Sequence, residues 1–328
     1  MLQISPYLFF LLLFASPLFG QQLPLSQEYQ QQAFFLNPAS LGQEGVQQIQ
    51  LGYKQQWLNM PESPRTASLA YQHWAEDKNM AWGLALQQDR TGPSSYTALQ
   101  FSYAYQLQLG KVQKGEFGHR LNLGLSLSAL HYQLRGQDLS ALDPNDPLII
   151  QNNESQLLPE AALGALYQTE QFQLGFSVPQ ILGLKLRFSD GQALSDLRRV
   201  AHIYLHAATK IDFYSSSFRK AGDAPKHRII PQIWFRYALN SPFGVMLNAQ
   251  YIYDQRFLLG LGYGSEGSLM VSLGTTVKQR YRISYIFSQT ASNLGPQLGS
   301  NHELLLAYTL FANGKGWQQP AISSIWAK

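Results

Sequence analysis

The chain has 328 residues, of which 45% are hydrophobic and only 13% charged, with a formal net charge of +4 and no cysteine. The lack of cysteine excludes a disulfide framework, thiolate zinc sites and a lipid anchor on Cys. A small charge excess with no basic stripe argues against a nucleic-acid partner. The charged share is about half that of ordinary soluble domains. Polarity comes instead from Gln, Ser and Asn, beside 18 Tyr, 18 Phe and 6 Trp, a mixture that suits a wet enclosed interior and membrane interfaces.

The apolar run Tyr7–Ala15 is too short to span a bilayer, which takes ~20 residues. It is broken by Ser16-Pro17 and followed by Gly20, so residues 1–20 read as a signal peptide. No later stretch is apolar enough for a membrane helix. An exported chain without spanning helices is either a closed barrel or soluble.

From there the pattern has period two. Between residues 97 and 109 the odd positions are Thr97, Leu99, Phe101, Tyr103, Tyr105, Leu107 and Leu109. The even positions are Ala98, Gln100, Ser102, Ala104, Gln106 and Gln108. Successive strand side chains point to opposite faces, so one face is oily and the other small and polar. The same alternation recurs around Leu121–Ser128, Gln171–Val178, Ser268–Thr275 and Arg280–Ser288, with Ile286 out of phase. A solvated sandwich face would carry more Lys, Glu and Thr.

In chain order the alternation predicts 14 strands: 46–57, 65–74, 80–90, 95–109, 119–133, 159–168, 171–178, 200–211, 228–238, 244–253, 255–263, 267–276, 280–288 and 301–310. The fold class is therefore all-β, a single antiparallel transmembrane β-barrel of outer-membrane type with about 14 strands. An even count puts both ends on one side. With the ends periplasmic, the turns at 75–79, 169–170, 254 and 277–279 face inward, and the longest loops, 134–158, 179–199 and 289–300, face outward. The connections 212–227 and 110–118 fit that asymmetry less well. The domain reading is 1–20 signal peptide, 21–45 periplasmic N-terminal segment able to act as a plug, 46–310 barrel and 311–328 tail.

Several short motifs carry a family resemblance. Phe35-Leu36-Asn37-Pro38-Ala39-Ser40-Leu41-Gly42, after Gln27-Glu28-Tyr29, resembles the opening signature of the PorP/SprF family of type IX secretion system membrane proteins of Bacteroidetes. Here Ser40-Leu41 stands in place of the usual tyrosine-containing pair. Tyr53-Lys54-Gln55-Gln56-Trp57, Pro64-Arg65-Thr66, Asp89-Arg90-Thr91-Gly92-Pro93, Tyr103-Ala104-Tyr105, Leu123-Gly124-Leu125 and Asn301-His302-Glu303-Leu304-Leu305-Leu306-Ala307-Tyr308 resemble further family elements in family order. Residues 179–227 match poorly. The resemblance implies an outer-membrane barrel that works with the type IX machinery in protein secretion, gliding motility or surface attachment of a secreted adhesin. Its partners would be outer-membrane lipid and type IX components or such an adhesin. It singles out Asn37, Pro38, Gly42, Trp57, Asp89, Gly92, Pro93, Tyr105, His302 and Glu303.

Local physics leaves two alternatives open at these positions. Asn37-Pro38 fits either a segment that enters and plugs the barrel or a plain turn before the first strand. Trp57, Trp74, Trp82 and Tyr105 fit either aromatic girdles at strand ends or core aromatics. Gly92-Pro93 fits a turn.

Chemistry-bearing motifs are sparse. Gly262–Gly267 fits G-x-G-x-x-G, but another strand follows where a dinucleotide site needs a helix; it reads as a hairpin. His202 and His206 are four apart, which on a strand separates them by ~13 Å, too far to share a metal. They read as lumen-facing polar residues. Glu154, Glu160, Asp190 and Asp196 lie in or near loops; they could bind Ca²⁺ or a partner, with solvated charge the default reading. No nucleophile elbow appears. The chain is expected to be no enzyme, with no cofactor or metal. The alternative function is a transporter or channel for small or apolar molecules, gated by residues 21–45.

Overall fold

The computed structural model describes residues 29–43, 45–110, 118–138, 153–186, 197–214, 225–239, 241–291 and 295–312. The signal-peptide reading, nearly all of the tail, and Asp190 and Asp196 lie outside these residues.

The strands are β1 (Val46–Gln55), β2 (Arg65–Ala75), β3 (Met80–Thr91), β4 (Ser94–Leu109), β5 (His119–Arg135), β6 (Asn153–Gln168) and β7 (Phe172–Val178). A small hairpin of β8 (Lys185–Leu186) and β9 (Leu197–Arg198) follows. Then come β10 (His202–Thr209), β11 (Ile211–Phe213), β12 (His227–Ala238), β13 (Gly244–Tyr253), β14 (Phe257–Gly264), β15 (Ser268–Val277), β16 (Tyr281–Thr290) and β17 (Asn301–Ala312). β10 and β11 pair with β12 in one register and make a single stave broken at Lys210. Each stave pairs antiparallel with its neighbours in sequence, and β1 pairs with β17. The result is a closed antiparallel barrel of 14 staves.

The two-residue period sorts the side chains. Leu99, Leu125, Leu261 and Leu273 point outward and stay exposed. Ser102, Ser126, Ser272, Ser284, Gln50 and Asn122 point inward and are buried. In water each such Leu would forgo about 1.5–3 kcal/mol of burial; in lipid that cost is absent. Closure gives every stave two neighbours, which satisfies the backbone where no water is available. The interior amides bond among themselves. Gln48 Oε1 accepts from Gln50 at 2.5 Å and from Gln72 at 3.2 Å, and Gln48 Nε2 donates to Thr309 at 3.4 Å.

Several strand limits differ from those read in the sequence. β6 starts at Asn153, so the outward loop before it is shorter than the 134–158 expected, and Glu154 and Glu160 sit on a strand. Glu160 is buried against the inner wall, not solvated. Here the alternation is masked by Leu157-Leu158-Pro159, one exposed, one buried and one lacking a donor. β17 runs to Ala312, two residues past the limit read for the barrel. Trp74 is not a girdle residue: it points inward and is buried. Trp82 does face outward, against Tyr71 and His73, and Tyr105 is exposed on the outer wall. The Gly264–Gly267 glycines close the β14–β15 hairpin, as the following strand required.

Leu125→Arg places a guanidinium on the lipid face. It is expected to cost about 2–4 kcal/mol of stability, read from denaturant titration in lipid vesicles.

Candidate functional site

The segment before β1 does not lie outside the barrel. Tyr29–Phe35 and Pro38–Ser40 form two short 3-10 turns. Asn37 begins the second: its side chain accepts from Ala39 N at 3.0 Å, and Pro38 follows where its missing N–H costs nothing. The turn packs on the inner wall. Asn37 Nδ2 donates to Ala165 O at 3.3 Å, Asn122 Nδ2 to Ala39 O at 3.3 Å, Gln100 Nε2 to Phe34 O at 3.4 Å and Gln32 Nε2 to Ser68 Oγ at 3.0 Å.

Two glycines make the seat. Gly124 on β5 and Gly164 on β6 face each other across the strand pair. A Cβ at Gly124 would overlap the backbone of Pro38 and Ala39, and one at Gly164 would overlap Asn37 Oδ1. The missing side chains are thus replaced by the Asn37-Pro38-Ala39 turn. Its flanks reach opposite walls. Phe34 and Leu41 pack with Ala70, Trp74, Ala81, Ala85 and Ala104. Leu36 packs with Tyr204 and Trp234. Gly42 has φ +74 and lies against Trp74 and Ala81, where a Cβ would come within 2.6 and 2.7 Å of their atoms; only glycine meets both demands.

At the end of the lumen opposite the start of β1 and the finish of β17, a second element folds in. The connection after β7 is bonded to β6 through Ile181 N to Ala161 O at 3.0 Å and Leu182 N to Glu160 Oε1 at 3.1 Å. Leu184 packs against the buried Tyr96, Ala98, Leu130 and Leu158. Arg199, buried, lies 3.7 Å from Glu160 and over the Tyr132 ring. Between this inward fold and the N-terminal segment a cavity of about 80 Å³ remains, bordered by Leu36, Gln100, Ser128, Glu160, Gln180 and Arg199.

The sequence motifs converge beside it. Register places Glu303, Lys54, Thr66, Asp89, Tyr96 and Tyr132 in one inward row across six adjacent strands. Lys54 is buried and interacts electrostatically with both Glu303 and Asp89. Thr66 Oγ1 donates to Asp89 at 2.7 Å and Thr91 Oγ1 at 3.3 Å. The lysine was not among the residues singled out from the sequence, although it stands in the Tyr53–Trp57 motif. Only pairing shows that it joins two acids more than two hundred residues apart.

Trp57, Gly92, Pro93 and His302 lie at the same end. Trp57, with φ +53, donates its backbone N–H to Asn301 Oδ1 at 2.9 Å. Gly92, with φ +55, and Pro93 form the β3–β4 turn, whose carbonyls accept from the Arg135 side chain and backbone at 3.0 Å each. His302 points outward, bonded to Tyr285 Oη and, at 2.9 Å, to Ser300 Oγ. Tyr105 sits apart, on the outer wall. His206 is enclosed, stacked on Trp234 at 4.3 Å, and His202 lies on the same inner face. Among the described residues no cluster of His, Cys, Asp or Glu could hold a metal.

The sequence that folds into this barrel matches, over residues 18–308, the family model described as type IX secretion system membrane protein PorP/SprF. The chain belongs to that family. It is an outer-membrane protein. No curated protein matches it. Among solved structures it is similar to the CymD monoaromatic hydrocarbon channel, with 14% identity over 85% of this chain and 91% of that one and a TM-score of 0.49. It is also similar to the Pseudomonas putida toluene transporter TodX, with 11% identity over 84% and 93% and a TM-score of 0.46. A Pseudomonas aeruginosa FadL homologue gives 10% identity over 84% and 93%, with a TM-score of 0.44. Likeness at this level concerns fold alone.

Two variants separate the roles of seat and seam in this PorP/SprF-family barrel. Gly164→Val should unseat the plug and raise solute entry in liposome swelling, with the heat-modifiable gel shift of a folded barrel retained. Lys54→Met leaves two buried acids without their cation and should cost about 3–5 kcal/mol. In denaturant titration, Lys54→Met/Asp89→Asn/Glu303→Gln should recover most of that loss.

Proposed function

We propose that this protein is a non-enzymatic, closed outer-membrane barrel that serves type IX secretion by binding protein partners at its rims. The observation that carries this reading is the chain's own segment 32–43 seated against the inner wall, with 179–184 bonded to β6 beside it; both take up space that a diffusion pore would leave to solute. Residues 1–20 act as the signal peptide in this reading, both termini face the periplasm, and the loops after β5 and β7 face outward. The N-terminal segment then offers periplasmic components a handle continuous with the plug, while the loops meet a secreted or surface-attached protein.

Family membership supports the association with type IX secretion. The reading of gliding motility or adhesin attachment follows the same support and is the finer choice to be made by experiment. A transporter of small or apolar molecules is the competing reading, and the small cavity between plug and inward fold is what favours it.

Deletion of the gene should abolish delivery of one or a few secreted proteins while uptake of small solutes stays unchanged. Proteomics of the medium and cell surface, with uptake assays alongside, checks both. Unaltered secretion together with impaired uptake would transfer the assignment to the transporter. Purified wild-type protein should give little swelling of liposomes in isotonic sugar.

A further inference from the structure

Outward side chains of neighbouring strands stand in rows fixed by the register. One row is Tyr251, Leu259, Leu273 and Tyr285. The next, nearer the end where β1 starts and β17 finishes, is Tyr253, Phe257, Thr275 and Ile283. Thr275 is the short, hydroxyl-bearing member of two rows otherwise built of large residues. The wall is dented there into a hollow of about 520 Å³, within the ~300–1,000 Å³ typical of ligand pockets.

The hollow does not end in the apolar zone. It shares Phe257 and Thr275 with a second groove of about 480 Å³ at the rim, bordered by Arg256, Val277 and Lys278. The rim here is two tight turns, with Asp254 and Gln255 in one and Lys278 and Gln279 in the other all at positive φ. Such turns fix the direction of the residues they carry. Exposed Arg256, Lys278 and Arg280 therefore gather at the mouth, and Lys226 Nζ lies 5.9 Å from the Tyr253 ring centroid. The one acid in these turns, Asp254, is 3.6 Å from Arg256, with both side chains more than half exposed. The local balance is cationic.

The apolar trough, lined by Tyr251, Tyr253 and Tyr285 among its aliphatic residues, and the cationic rim follow one another in the order of acyl chain and phosphate in a bilayer leaflet. We propose that this continuous groove on β13–β16 is a binding site for one anionic phospholipid. An acyl chain lies across Thr275 between Leu259, Leu273 and Ile283, and the phosphate meets Arg256 and Lys278. Juxtamembrane cations attract anionic lipid in this way, and the trough adds a shape that a scattered basic rim lacks. The site depends on insertion of the barrel in lipid and is independent of which protein the barrel serves.

Native mass spectrometry of the full-length barrel, released from detergent with equal amounts of phosphatidylglycerol and phosphatidylcholine, tests this. The wild type should retain phosphatidylglycerol in clear preference. Arg256→Gln/Lys278→Gln should lower that retention by roughly fivefold or more per cation removed. Thr275→Phe, which fills the trough with no change of charge, should lower retention of both lipids. Lys78→Gln, at the same rim outside the groove, should leave it unchanged. Each variant is scored for the heat-modifiable mobility of a folded barrel, and Thr275→Phe and Arg256→Gln/Lys278→Gln serve as independent arms. Equal retention of the two lipids by the wild type, or full retention by both groove variants, overturns the proposal. So does a loss with Lys78→Gln as large as with the groove variants. Displacement of phosphatidylglycerol by lipid A added as a third component would assign the phosphates to lipopolysaccharide and overturn the phospholipid reading.

Discussion

The structure depends on one pairing between strands that lie at opposite ends of the chain, β1 with β17. All other barrel staves meet a neighbour in sequence, joined by a turn or a single local connection. Without the β1–β17 ladder the sheet would present two unpaired edges to lipid, where each unsatisfied backbone group costs several kcal/mol. Its register must be right as well, because a slip of one residue would turn every oily side chain inward. Lys54 opposite Glu303 opposes such a slip: shifted by one, Lys54 would stand opposite an outward residue. Gln48 to Thr309 and Trp57 to Asn301 fix the two ends of the same seam. Two short motifs that look unrelated along the chain, Tyr53–Trp57 and Asn301–Tyr308, thus describe one piece of structure.

The fold was largely legible because lipid imposes a rule simple enough to read by eye. Leu121, Leu123, Leu125 and Leu127 against Asn122, Gly124, Ser126 and Ser128 can satisfy a bilayer outside and polar contacts inside in one way only. The rule fails where it competes with something else. At Leu157-Leu158-Pro159 the buried Leu158 serves a small apolar cluster inside the barrel, so two adjacent leucines conceal the start of β6. Ile286, out of phase in the sequence, is likewise buried with Met270 and Leu305 inside. Trp74 fits either an interface or a core aromatic by residue type, and its position on the inner face decides for the core. It is there because Phe34, Leu41 and Gly42 supply it with a core that the strands alone do not contain.

The candidate site was less legible because it is a property of pairs. Asn37-Pro38 can be read as a turn, and nothing local says what the turn rests on. Its seat becomes visible only when Gly124 and Gly164 are seen to stand opposite each other. Glycine is poor in a strand interior, where it adds backbone entropy loss and no packing. Two of them in register leave space for one backbone turn, and the turn's own hydrogen bonds to Asn122 and Ala165 take the place of the missing side chains. Arg199 and Glu160 were hidden for a similar reason. One follows a connection with no strand signal, the other sits in a strand whose start was concealed, and their pairing joins the inward fold to the wall.

The plug and the seam are also contiguous: Leu41 lies in the lumen core, and Val46 begins the closing strand. Tension applied to the N-terminus would therefore load the plug's contacts with the wall first and, once these yield, pass to the β1–β17 ladder after a short glycine-bearing bend. A pull strong enough to draw the stopper would load, along its length, the strand that holds the cylinder shut. Corking and hooping are mechanically one device in this protein.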